Sequence, residues 1–113
     1  MKFLLSLLST LCFVLFTSIQ IAYSQSIDLD EGEKVFSENC TACHAGGNNV
    51  IAAEKTLKLD ALEKYEKASV DAIVYQVTNG NAGGMPAFGD RLSDDQIQNV
   101  ANYVLNQAKT DSW

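Results

Sequence analysis

The chain has 113 residues, with 8 Lys and Arg against 14 Asp and Glu for a formal charge of −6, and it contains three cysteines and one histidine. That length allows one small domain, and the acidic balance argues against nucleic-acid binding, which needs Lys and Arg clustered at phosphates. Three cysteines cannot build a disulfide framework, and a lone histidine, His44, excludes a His-rich metal site or a pair of catalytic histidines.

Residues 1–26 read MKFLLSLLSTLCFVLFTSIQIAYSQS. Lys2 precedes an apolar run from Phe3 to Phe16, and the small residues Ala22 and Ser24 follow, which is the layout of a secretory signal peptide cleaved after Ser24 or Ser26. A retained membrane anchor is the competing reading. Ser6, Ser9, Thr10, Thr17, Ser18 and Gln20 dilute the run, however, and no basic stop-transfer cluster follows it. Bulky Leu11 before Cys12 argues against lipidation. Cleavage removes Lys2 and Cys12, takes the charge from −6 to −7, and leaves a domain over 27–113 with Cys40 and Cys43. Outside the cytosol a disulfide between those two would be allowed. So small a domain buries little surface and needs an additional core.

Four helical patterns follow, with no repeat or internal linker. Asp28 and Asp30 offer caps for the first, and Glu31 and Glu33 place negative charge where the helix dipole favours it. Gly32, Phe36, Cys40 and Cys43 lie on one helical face, and Gly46-Gly47 stops the pattern. Residues 45–56 read as a loop. A short second helix is expected from about Leu59 to Tyr65, with Leu59, Leu62 and Tyr65 inward. Ser69 caps a third, in which Val70, Ile73, Val74 and Val77 form a stripe and Asn79-Gly80 ends the helix. In the last, Ser93 and Gln96 make a capping box and Leu92 and Ile97 a hydrophobic staple. Its buried stripe is Ile97, Val100, Ala101, Val104 and Ala108. Strand alternation is weak throughout, so the expected class is all-α.

Cys40-Thr41-Ala42-Cys43-His44 is C-x-x-C-H, the attachment signal for c-type haem. Two thiols about one helical turn apart can add to two vinyl groups on one porphyrin edge, and the adjacent imidazole can then bind the iron. Structural zinc would want four ligands, and a thioredoxin-like dithiol would want a βαβ setting. An incidental cysteine pair leaves the adjoining histidine unexplained. A large apolar ring also supplies the core that this length lacks. Once the signal is removed, Met85 is the only methionine, in the loop NGNAGGMPAFG with the chain's single proline, Pro86. A core-filling methionine is the alternative. Its loop position favours Met85 as sixth ligand opposite His44, the usual cytochrome c arrangement, which raises the potential and leaves iron no open position for bond chemistry.

The segments LDEGEKVFSENCTACHAGGNN, EKTL, DAIVYQVTNG, MPAFGDRLSDDQI and NYVLNQ make the sequence similar to the cytochrome c6 family, the soluble photosynthetic cytochromes of algae and cyanobacteria. The resemblance implies a class I cytochrome c fold, about four helices around one covalently bound haem, with the first and last crossing near Gly32, Phe36 and Tyr103. It implies a non-enzymatic carrier in the thylakoid lumen of a plastid or a cyanobacterium. That carrier takes one electron from the cytochrome b6-f complex to photosystem I, as a monomer without stable membrane insertion after cleavage. Gln76 would lie near the haem and help set its potential, against the alternative of a polar surface residue. Arg91 matches a family position used for docking at photosystem I, against the alternative of a solvated charge. Two departures stand out: Ala52-Ala53 replaces a common Met-Pro pair, and the Met85 loop is about one glycine longer than in many relatives. The rival within electron transfer is a periplasmic c-type cytochrome feeding an oxidase or a reductase.

Overall fold

The computed structural model describes residues 26–113; the expected signal peptide, apart from its last residue, lies outside the described residues. Five helices form, with no strand among the described residues: α1 Leu29–Asn39, α2 Thr41–His44, α3 Leu59–Lys64, α4 Val70–Asn79 and α5 Asp94–Thr110, with a 3-10 turn over Ala45–Gly47. None of these helices is long and apolar enough to cross a membrane.

Helix α1 starts because the Asp28 carboxylate accepts hydrogen bonds from the Asp30 and Glu31 N–H groups, two of the donors that an α-helix leaves free at its start. The Asp28 N–H in turn donates to Asn99 Oδ1 at 3.0 Å, tying this end to α5. The two helices cross at Gly32, where a Cβ would stand 2.3 Å from the Asn99 carbonyl oxygen and 2.8 Å from Tyr103 Cβ. Only a residue without a side chain lets the backbones approach so closely. Beyond the crossing, the Phe36 and Tyr103 rings stack with centroids 5.5 Å apart, as the resemblance led one to expect. At the start of α5 the capping box forms in full: Gln96 N–H donates to Ser93 Oγ, and Ser93 N–H donates to Gln96 Oε1.

The core joins Val35 and Phe36 of α1 to Ile73 and Val77 of α4 and to Ile97, Val100, Ala101, Val104 and Leu105 of α5, with Phe88 closing it from the loop. The expected stripes of α4 and α5 are thus the buried faces, to which Val35, Leu105 and Phe88 are additions. In α3, Leu62 is buried while Leu59 and Tyr65 are half-buried. One element differs from the sequence pattern. The first helix does not run through to the glycines but breaks at Cys40 (φ −114°, ψ −26°), and one further turn follows. The Cys40 carbonyl accepts from both Cys43 N–H and His44 N–H, so the short turn is built around it.

At the other end of the chain, Asp111 takes a left-handed conformation (φ 49°). Ser112 N–H then reaches back to the Gln107 carbonyl, a helix ending of the Schellman kind. Trp113 thereby folds back onto Phe36, with ring centroids 5.4 Å apart, and onto Gly47.

Candidate haem centre

Cys40 and Cys43 are free, half-buried thiols. Burial pushes the Cys40 thiol up to about 11, and the neighbouring Cys43 adds to the effect. At neutral pH that sulfur is therefore protonated, since burial disfavours the thiolate. A thioether carries no ionisable proton, so addition to a vinyl group would suit this half-apolar place.

His44 follows in the same turn, and its Nδ1 lies 2.8 Å from the Asn48 carbonyl oxygen. A carbonyl only accepts, so Nδ1 carries the proton and donates it. The Nε2 lone pair is then left available to a metal, in the orientation-fixing arrangement usual for ligating histidines. The loop beyond His44 is held in turn: Val50 N–H donates to the Cys43 carbonyl, and Leu57 N–H to the Gly47 carbonyl. The Asn49 side chain accepts from Ile51 and Ala52 N–H and donates to the Lys55 carbonyl.

Met85 comes from the loop that follows α4. Helix α4 ends at Gly80 (φ 61°), where a Cβ would stand 2.4 Å from the Met85 carbonyl oxygen. After Met85 the chain turns back along the end of α4, with Phe88 N–H donating to the Val77 carbonyl and Gly89 N–H to the Thr78 carbonyl. Gln76 Nε2 donates to Met85 Sδ at 3.4 Å. Gln76 is half-buried, and its amide addresses the Met85 sulfur.

Cys40 and Met85, far apart in sequence, pack against the same buried cluster. The loop after His44 also meets the Met85 loop, since a Cβ on Gly84 would lie 3.1 Å from Ile51 Cδ1. In the loop after His44 the fold leaves large apolar side chains in the open: Val50 is 71% exposed and Ile51 57%. The described donor set comprises two thiols, an imidazole with a free Nε2 and a thioether. With apolar surface beside them, these residues fit a covalently attached haem. Arg91 is separate from these contacts, its guanidinium lying 5.6 Å over the Phe88 ring.

The orienting carbonyl of Asn48 and the return of Trp113 were not foreseen from the sequence. A backbone acceptor has no residue signature, and a terminal tryptophan carries none of the periodicity that marks a core position.

Comparison with known proteins agrees with this geometry. A family model described as cytochrome c oxidase, cbb3-type, subunit III matches residues 27–104 and marks a cytochrome c domain. The chain is 54% identical over 112 residues to cytochrome c6 of Porphyra purpurea, covering 96% of this chain and 97% of that one. It is 62% identical over 82 residues to cytochrome c6 of Bumilleriopsis filiformis, covering 73% of this chain and 94% of that protein. The structure of cytochrome c6 from the diatom Phaeodactylum tricornutum superposes with a TM-score of 0.72 at 51% identity, covering 76% of this chain and 99% of that one. The chain belongs to the cytochrome c6 family: it is an all-α class I cytochrome c, an electron-transfer protein and not an enzyme, with covalently bound haem c whose attachment motif is met by Cys40 and Cys43.

Proposed function

We propose that this protein is a soluble carrier in the thylakoid lumen that takes one electron from the cytochrome b6-f complex to photosystem I, released there after cleavage of residues 1–24 or 1–26. The observation that carries the reading is that the chain is at least half identical over most of its length to cytochromes c6 while holding a C-x-x-C-H motif, His44 and Met85 as candidate haem ligands.

In this reading Cys40 and Cys43 would hold the haem through thioethers, and His44 and Met85 would bind its iron. The haem supplies an iron that changes charge by one at a potential raised by the soft thioether. The chain's own residues do the rest. Asn48 holds the His44 ring by its Nδ1 proton, and Gln76 donates toward the Met85 sulfur, withdrawing electron density from it. The buried cluster behind Cys40 and Met85 excludes water from that flank. With His44 and Met85 both committed to the iron, the chain would leave it no open position for a substrate, and the group would supply one-electron chemistry alone. The net acidic charge steers encounters with basic partner surfaces and makes them weaken with salt. Arg91, exposed beside Phe88 after the Met85 loop, is the proposed docking cation at photosystem I.

Flash oxidation of the reduced, haem-loaded protein by purified photosystem I tests this reading. We expect light-driven oxidation at micromolar concentration that slows with added salt; no oxidation would overturn the photosynthetic role and favour a periplasmic donor to an oxidase or reductase. Replacing Met85 by Ala should keep the covalent haem and lower its midpoint potential by on the order of 0.2 V, read by redox titration. An unchanged potential would mean that another group is the sixth ligand.

A further inference from the structure

Between Gly80 and Met85 stand Asn81, Ala82, Gly83 and Gly84. Such a glycine-rich stretch has a large conformational entropy to lose, and nothing about its composition holds it in one shape. Yet its shape decides where Met85 points. Three contacts close it, all made by one residue. The Asn81 side-chain oxygen Oδ1 accepts from Gly83 N–H at 2.9 Å and from Met85 N–H at 3.2 Å, and the Asn81 backbone N–H donates to the Met85 carbonyl at 3.0 Å. The Met85 peptide is thus gripped at its donor and its acceptor by the same asparagine, while Gln76 addresses the sulfur. Gly84 (φ 122°) supplies the backbone turn that lets the ring close.

We propose that Asn81 is a positioning residue for the axial Met85: its side chain ties the long glycine loop into a closed ring that presents the sulfur to the iron and resists its withdrawal. The inference rests on the reading of Met85 as sixth ligand. Asn81 touches neither the iron nor a partner in this account. It acts through the Met85 backbone by removing open loop conformations in which the thioether points away. Because the two side-chain bonds are exposed, their net worth is modest, and the effect belongs in ligand exchange more than in global stability.

The test uses the haem-loaded, full-length matured protein and free imidazole, which binds ferric haem only where the sulfur has left. Titration is followed by loss of the near-infrared band that sulfur coordination gives. Asn81→Ala should bind imidazole about three- to tenfold more tightly than the parent. Asn81→Asp keeps an oxygen acceptor at the same place and should stay within about twofold of the parent. Urea midpoints followed by far-ultraviolet circular dichroism should agree among the three proteins, because Asn81 lies outside the core. Equal imidazole affinity for Asn81→Ala and the parent would overturn the proposal. So would a fall in the urea midpoint large enough to account for the whole change, which would make Asn81 a general structural residue. If the parent itself lacks the near-infrared band, Met85 is not the ligand, and the underlying reading falls whatever Asn81 does.

Discussion

The two flanks of the haem centre are built by opposite means. On the His44 flank, the proposed ligand and the attachment cysteines share one short stretch, and the imidazole is fixed by a carbonyl four residues on. On the Met85 flank the proposed ligand sits in a loop far along the chain, addressed by a side-chain amide at its sulfur and by another at its backbone. The first flank is held by sequence proximity and, once attached, by covalent bonds. The second depends on tertiary placement, so it is the flank on which exchange, tuning and failure should concentrate.

That contrast can be broken most forcefully from beneath both flanks. Gly32→Val would drive a side chain into the Asn99 carbonyl and Tyr103 at the helix crossing. It should cost about 3 kcal/mol or more, because backbone and a packed neighbour must both give way. Urea unfolding of the matured protein measures it, and a cost below about 1 kcal/mol would show that the crossing relaxes freely. Gly80→Ala sharpens the comparison on one side only. It puts a Cβ at φ 61° against the Met85 carbonyl, and should cost about 1–3 kcal/mol while weakening the near-infrared sulfur band. Loss of stability with the band intact would mean that the loop shifts without disturbing the ligand.

The smallest effect concerns the scaffold and pH. The Tyr103 phenol is raised above its ordinary value of 10.0, by burial first and by nearby Glu33 second. A raised acid pKa means that the unfolded chain gives up this proton earlier, so stability contributed by Tyr103 is present below pH 10 and declines as pH rises toward the folded value. Tyr103→Phe should therefore flatten part of the alkaline loss that sets in as pH rises past 10, read as urea midpoints, and leave the haem spectrum unchanged. A parallel loss in both proteins would assign the alkaline sensitivity elsewhere.

Much of this architecture was legible in the sequence where a local rule coincides with the tertiary one. Ser93 and Gln96 announce the start of α5, and the capping box forms as written. Ser69 caps α4, and Gly80 ends it in a positive-φ turn. The break at Cys40 was not legible, because Gly32, Phe36, Cys40 and Cys43 keep helical spacing straight through it and only the backbone departs. Phe88 and Val35 were missed as core for a related reason: one lies in a loop without periodicity, the other beside the stripe that the cysteines seemed to define. The C-x-x-C-H motif named its cofactor directly, since its spacing reflects the geometry of the porphyrin. The grip of Asn81 on Met85 was beyond reach, because a polar residue in a glycine loop looks the same whether it faces water or closes a ring.

Trp113, the chain's single tryptophan, is folded by the Asp111 turn onto Phe36, Tyr103 and the Gly47 turn just past His44. With a haem attached through Cys40 and Cys43, an indole anywhere in so small a domain would hand its excitation over before it can emit, so the native protein should be dark at tryptophan wavelengths. Only unfolding that carries the terminus well away from the attached haem would restore emission. The chain terminus thus acts as an optical reporter on global unfolding of the matured protein, readable without any added label.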